Sequence, residues 1–396
     1  MVRHFGMESW ENAAAQHCTI AVVCSYTVSL ANFRYRLLAA MVENGHRVVA
    51  FGPENDERTI AALQAIGVEF RRIPMERAGL NPLEDLRSLA HLWRQLRGLS
   101  PDVILCYTMK PIIYGLIAAR LARISRRYAL VTGLGYVFSP AEQNPRLHLI
   151  RRIATVLYRI ALRGCRCVFV YNDADAQDIR EGQMISGPTR LVAVAGSGVD
   201  LVRFKPVPLP ASPVTFLMIA RLLNEKGARE FVQAAALLRE RYPKARFQIL
   251  GPLDPSPLAI SQDEIEGWSA SGVIEYLGET SDVRPYLAKA TVFVLPSYYR
   301  EGVPRSILEA MAMGRPVITA NTPGCRDTVI EGENGFIVAP RSPEALAAAM
   351  DRFLANPALA ARMGQRSIEI ARDRFDVERI NAHLLTEMNL INPMKR

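Results

Sequence analysis

Two short stretches of this 396-residue chain hold side chains whose types and spacing suit them to gripping a phosphorylated sugar compound. Arg221 and Lys226 lie in Ala220-Arg221-Leu222-Leu223-Asn224-Glu225-Lys226-Gly227. Arginine offers a planar fork for phosphate oxygens and lysine a compact charge, so together they can hold a diphosphate and stabilise it as it departs. Taken alone, they are also compatible with a surface pair capping the next helix. Glu301 and Glu309 lie in Glu301-Gly302-Val303-Pro304-Arg305-Ser306-Ile307-Leu308-Glu309. A carboxylate accepts two hydrogen bonds from a sugar diol, so Glu309 suits a ribose and Glu301 a second sugar. Without context, two such glutamates are ordinary solvated helix charge. Gly302 permits close backbone approach, Pro304 suits the start of a helix, and the amides of Arg305 and Ser306 at that start make an anion site.

In the first half, Lys110 is the only lysine among residues 1–200, where every other basic side chain but histidine is arginine. It follows Tyr107 and Thr108 at the end of an apolar run. All three are candidates for binding an acceptor, Lys110 facing a cleft and touching its phosphates, while an exposed surface lysine remains the plain alternative. Gly133-x-Gly135 and Gly196-x-Gly198 lack the third glycine and the downstream acid of a dinucleotide fingerprint, so they are read as letting loops approach substrates. No acidic pair or His/Cys set stands at metal-ligand spacing. The sequence therefore calls for no metal and no cofactor. Six scattered cysteines among apolar residues suit reduced, buried thiols in a cytosolic protein, and Cys165-x-Cys167 reads as part of a strand rather than a redox site.

The elements that must position these residues follow a strand-helix rhythm. In the first half strands are expected at 19–24, 47–51, 102–106, 128–132, 167–170 and 190–194, with helices around 33–44, 85–97, 112–124 and 146–163. A proline-rich link runs from Lys205 to Pro213, and the rhythm restarts with strands at 214–219, 246–250, 273–277, 292–295 and 316–319. Alternation of this kind predicts an α/β protein of two doubly wound parallel-sheet domains facing a central cleft. The expected division is a flexible 1–16, an acceptor-binding domain 17–205, a nucleotide-sugar-binding domain 206–375, and a helix over 376–396 returning to the first domain. Ligands of open parallel sheets bind beyond the carboxyl ends of the strands, where strands 214–219 and 292–295 deliver Arg221, Lys226 and Glu301.

The net charge of +9 is uneven, with 24 Lys plus Arg against 17 Asp plus Glu in residues 1–200. The basic half is expected to meet something anionic. Nucleic acid is disfavoured because no binding motif or aromatic interleaving accompanies the charge, which leaves a membrane surface or a phosphorylated lipid. A helix over 146–163 puts His148, Arg152, Arg159 and Arg163 on one side and Leu149, Ile153, Val156 and Ile160 on another. It either rests on anionic lipid or packs its apolar side on the sheet. No secretory signal or spanning segment is seen, so the expectation is a cytoplasmic protein held peripherally on the inner face of the membrane.

Arg221 with Lys226 and Glu301-x7-Glu309 resembles the donor signature of retaining GT-B glycosyltransferases over about Thr19 to Phe375. The resemblance implies that Arg221 and Lys226 hold the donor diphosphate, Glu309 the ribose and Glu301 the sugar, that the backbone near Gly278 meets the base, that Gly335 sits in a structural turn, and that no metal is required. Tyr107-Thr108-Met109-Lys110-Pro111, Thr132-Gly133-Leu134-Gly135-Tyr136-Val137-Phe138 and Pro323-Gly324-Cys325-Arg326-Asp327 resemble bacterial enzymes that extend undecaprenyl-diphosphate-linked sugars in surface polysaccharide or glycan assembly. That subgroup implies a UDP-linked N-acetylhexosamine as donor. This chain departs from many relatives where a Gly-Gly pair and a histidine are replaced by Ser25-Tyr26-Thr27-Val28-Ser29 and Tyr107-Thr108, so no proton-handling residue is carried over. The alternatives are a nucleotide-sugar epimerase of similar shape, which would not need Lys110 or the basic half, and a non-catalytic sugar-nucleotide-binding protein at the membrane.

Overall fold

The computed structural model describes residues 17–76, 81–135, 138, 145–254, 256 and 259–391. The first sixteen residues, Tyr136, Val137 and the last five residues lie outside that set. Thirteen strands form two parallel sheets. The first holds β1 (Thr19–Val23), β2 (Arg47–Gly52), β3 (Glu69–Arg72), β4 (Val103–Tyr107), β5 (Arg126–Val131), β6 (Cys167–Val170) and β7 (Arg190–Ala193), in the order β3-β2-β1-β4-β5-β6-β7. The second holds β8 (Thr215–Ile219), β9 (Arg246–Leu250), β10 (Glu275–Tyr276), β11 (Val292–Leu295), β12 (Val317–Ala320) and β13 (Gly335–Val338), in the order β10-β9-β8-β11-β12-β13. Every central strand is buried along its length because helices cover both faces, which is why these segments read as continuous apolar runs.

Two strands escape the sequence pattern. β3 reads Glu-Phe-Arg-Arg and lies at a sheet edge, half in water, where apolar alternation is not demanded. β13 is the opposite edge of the second sheet, and Gly335 opens this strand rather than a turn. A Cβ at Gly335 would run into the Val317 carbonyl, so its structural role is close strand approach. The expected helix over 33–44 is two helices, Val28–Phe33 and Tyr35–Glu43, broken at Arg34, whose buried guanidinium donates to the Tyr171 hydroxyl at 2.6 Å. The helix expected over 112–124 begins as a π-turn, Pro111–Gly115, and continues to Leu121. A helix at Glu57–Ala65, capped by Asp56, was not anticipated.

Strand order reverses between β1 and β4 in one sheet and between β8 and β11 in the other. Such switch points leave a crevice at the carboxyl ends of the strands. The segment linking the sheets is stapled by Arg315, fully buried, which donates to the carbonyls of Ala290 (2.7 Å), Val207 (2.6 Å) and Pro208 (3.1 Å). Burial pushes this guanidinium down to about 10. Past Phe375 the chain bridges Val199 through two backbone hydrogen bonds, and helix Val377–Glu387 packs against Tyr35–Glu43, with Arg36 paired to Glu378. Arg126 and Tyr128 of β5 then donate to the Met388 carbonyl.

Candidate active site

A cavity of about 890 Å³ opens between the two sheets. From the second sheet it is lined by Arg221, Lys226, Glu301, Arg305, Ser306 and Glu309, and from the first half by Asn32, Phe33, Arg36, Arg58 and Thr59. The donor candidates gather here because β8 and β11 are hydrogen-bonded neighbours, so the loops that follow them emerge side by side. One acceptor stitches the two loops: the Glu225 carbonyl receives the Tyr298 amide at 2.9 Å, the Tyr299 amide at 3.0 Å and the Ser297 hydroxyl at 3.2 Å.

Glu301 stands at the centre. One carboxylate oxygen is paired with the Lys226 ammonium and accepts from the Ser297 hydroxyl at 3.0 Å. Lys226 also lies 5.1 Å from the centre of the Tyr299 ring. An ammonium carries three donors, so this contact leaves Lys226 able to meet phosphate oxygens. Arg221 reaches into the cavity from the other side and is steadied by Asp254 at 2.8 Å. Glu309 sits one turn inside helix Arg305–Ala312 and pairs with Arg305 at 2.9 Å. Burial raises the Glu309 carboxyl above its ordinary value and lowers the Arg305 guanidinium, and their mutual attraction opposes both shifts. The face of Phe33 lies 5.4 Å from the Arg305 guanidinium. Pro304 precedes the helix with no capping side chain.

Gly302 and Gly278 do not line the cavity. A Cβ on Gly302 would strike the Thr132 carbonyl, so the close approach it allows is to the other half of the chain. Gly278 accepts from the amide of Gly251, which does line the cavity. The glycines of 133, 135 and 196 likewise press on Gly302, Tyr299 and Val303 across the cleft, so only Gly198, which lines the cavity, stands where a substrate could meet it.

The first-half candidates are differently placed. Tyr107 is buried, its hydroxyl 2.8 Å from the Ser29 hydroxyl and its ring 5.0 Å from the Arg34 guanidinium. Thr108 takes a left-handed backbone (φ 69°), uncommon for a β-branched residue, and its hydroxyl lies 2.8 Å from that of Ser25. Lys110 follows β4 as expected, yet it points to helix Pro82–Leu99, where Asp85 receives the ammonium at 2.7 Å and the Tyr114 hydroxyl at 2.8 Å. None of the three lines the cavity. Sequence reasoning also missed Ser297 and Asp254, which have no motif of their own.

All six cysteines are buried free thiols, and Cys167 lies in β6 as expected. Among the described residues no set of three or more His, Cys, Asp or Glu is placed to hold a metal ion, and no helix is long and apolar enough to cross a membrane.

Residues 202–370 match the family described as glycosyl transferases group 1, and residues 30–195 match the glycosyl transferase 4-like domain. The chain belongs to the group 1 glycosyltransferases. This glycosyltransferase is 27% identical to the N,N'-diacetylbacillosaminyl-diphospho-undecaprenol alpha-1,3-N-acetylgalactosaminyltransferase of Campylobacter jejuni, over 87% of this chain and 91% of that protein. Its fold is shared with the sucrose-phosphate synthase of Thermosynechococcus elongatus (22% identity, TM-score 0.76, 93% of this chain and 97% of that one). It is shared equally with Anabaena HepE, solved in complex with UDP and glucose (19% identity, TM-score 0.74, 94% and 100%). The expected GT-B architecture of two Rossmann-like parallel-sheet domains is therefore present.

Proposed function

We propose that this glycosyltransferase moves an N-acetylhexosamine, with retention of anomeric configuration, from a UDP-sugar to an undecaprenyl-diphosphate-linked saccharide in bacterial surface polysaccharide or glycan assembly. The observation that carries the proposal is the convergence of Arg221, Lys226, Glu301 and Glu309 on one cavity at the switch point of the second sheet. The Campylobacter relative's lipid-linked substrate and the UDP bound by the Anabaena neighbour support the choice of acceptor and nucleotide. Residues 17–205 would then present the acceptor and 206–375 the donor, with the C-terminal helix belonging to the first unit.

In this reading Arg221, Lys226 and the first turn of helix Arg305–Ala312 hold the diphosphate, and Glu309 takes the ribose diol. Glu301 orients the transferred sugar. As the bond from the anomeric carbon to the phosphate oxygen breaks, its electron pair goes to the leaving diphosphate. The acceptor hydroxyl oxygen bonds to that carbon on the same face, and its proton passes to the leaving phosphate oxygen. The two cations stabilise charge that grows as the bond breaks, which is where electrostatic preorganisation acts most strongly. None of these steps calls for a metal.

A lipid-linked acceptor places the reaction at the inner membrane face. Helix Pro145–Leu162 buries Ala154, Tyr158, Ala161 and Leu162, and leaves Leu149, Ile153, Val156 and Ile160 exposed by 60, 52, 49 and 41%. Four large aliphatic side chains aligned at helical spacing beside Arg152 and Arg159 suit the boundary of an anionic bilayer.

Incubation with a panel of nucleotide sugars and a synthetic polyprenyl-diphosphate sugar, read by mass, tests the proposal. Transfer supports it. Isomerisation of the donor would make the protein an epimerase, and binding without turnover a non-catalytic sugar-nucleotide receptor.

A further inference from the structure

The loop that carries Glu301 is not held by its own half of the chain alone. Arg300, immediately before it, crosses to the first half and is 8% exposed. Its Nε and Nη2 both lie 3.1 Å from Asp175 Oδ1, and its Nη1 lies 2.9 Å from the Phe138 carbonyl and 2.5 Å from Asp178 Oδ2. Asn172 works beside it. Its Oδ1 accepts from the Asp175 amide at 2.8 Å, capping helix Asp173–Glu181, while its Nδ2 reaches the carbonyls of Glu301 at 3.2 Å and Gly302 at 3.3 Å.

We propose that Arg300 and Asn172 are positioning residues that make the placement of Glu301 conditional on the two halves being docked, so that the sugar-orienting carboxylate is set only when the cleft is closed. The inference rests on the reading of Glu301 given above. Neither side chain lines the cavity, so neither touches the donor directly. Asp175 is wholly buried, and burial pushes its carboxyl upward while Arg300 draws it back. Two such charges are tolerated out of water only when paired, so separation of the halves must return both to solvent and release the loop. When the halves meet, one guanidinium and one amide fix three consecutive residues, Arg300, Glu301 and Gly302. A displacement of about 1 Å at such a group is enough to cost about 100-fold in rate.

The test uses the full chain and the nucleotide sugar found to be turned over. Asn172→Ser keeps a capping side chain but removes the amide donor to the two carbonyls. Arg300→Met removes the ion pairs. Each is expected to lower kcat about 10- to 100-fold, with KM for the donor and the affinity for UDP within about 3-fold, because ribose and diphosphate contacts lie on other residues. Asn172→Ser combined with Glu301→Gln should be no slower than Glu301→Gln alone, since one residue acts through the other. Additive losses in the double variant, a kcat within 2-fold of the parent in Asn172→Ser, or a parallel loss of UDP binding would overturn the inference. If Arg300→Met does not fold, Asn172→Ser decides the matter. Normal turnover in Glu301→Gln by itself would instead overturn the reading of Glu301, and the inference with it.

Discussion

The two halves of this glycosyltransferase carry their charged residues in opposite ways. In the second half Arg221, Lys226 and Glu301 are delivered by loops at the carboxyl ends of adjacent strands, and they face the cavity. In the first half Tyr107, Thr108 and Lys110 also stand at the end of a central strand, but they turn inward, onto Ser29, Ser25 and Asp85. Strand-end position is thus necessary for a site residue and not sufficient. What separates the two is whether a nearer partner already satisfies the side chain.

The largest expected effect breaks the second half: Glu301→Gln and Lys226→Ala should each lower kcat by about 10²–10³-fold in a steady-state transfer assay. Normal rates in both would remove the sugar and phosphate roles assigned here.

Glu309→Gln should weaken donor binding about 10-fold, as a charge-assisted hydrogen bond becomes a neutral one, measured by titration calorimetry with UDP. Glu309 also sets a pH limb. Its carboxyl is raised in the fold, so the native state binds this proton more readily than the unfolded chain. Its contribution to stability is full below the unfolded value and is lost as pH rises through the folded one. Donor binding needs the carboxylate, so UDP affinity should fall on acidification at a higher pH than a solvated glutamate would dictate, and Glu309→Gln should abolish that limb.

Lys110→Met sharpens the contrast from the other side. It strands Asp85 in a mostly buried place and should cost about 1–3 kcal/mol of unfolding free energy by denaturant titration, with a smaller loss of kcat than Lys226→Ala. A sharp loss of transfer at unchanged stability would restore Lys110 to acceptor binding. The smallest effect concerns the exposed aliphatic row: Ile153→Asp should leave turnover of a short-chain, detergent-soluble acceptor near the parent's while reducing flotation with anionic liposomes. If the parent itself shows no salt-sensitive flotation, the helix is not a membrane contact.

Most of the fold was legible because buried parallel strands leave apolar runs that a reader can find, and the donor residues because they cluster within nine positions of one another in two stretches. Edge strand β3 was hidden by its charge, and helix Glu57–Ala65 by its weak amphipathicity. The clamp on Glu301 was hidden for another reason. Asp175 and Arg300 are separated by 125 positions, and neither residue alone differs from a surface charge until the fold brings them together.

The chain passes between its halves twice, and the two passages are fastened side by side where Val199 bridges Phe375 and Val377. Arg315 fixes the outgoing segment from Val207 onward to the second sheet. A body suspended from two adjacent leads can swing about the line joining them far more easily than it can slide or twist. The freedom left to the halves is therefore close to that of a door on one hinge line, with the cavity as the doorway and Arg300 as the bolt.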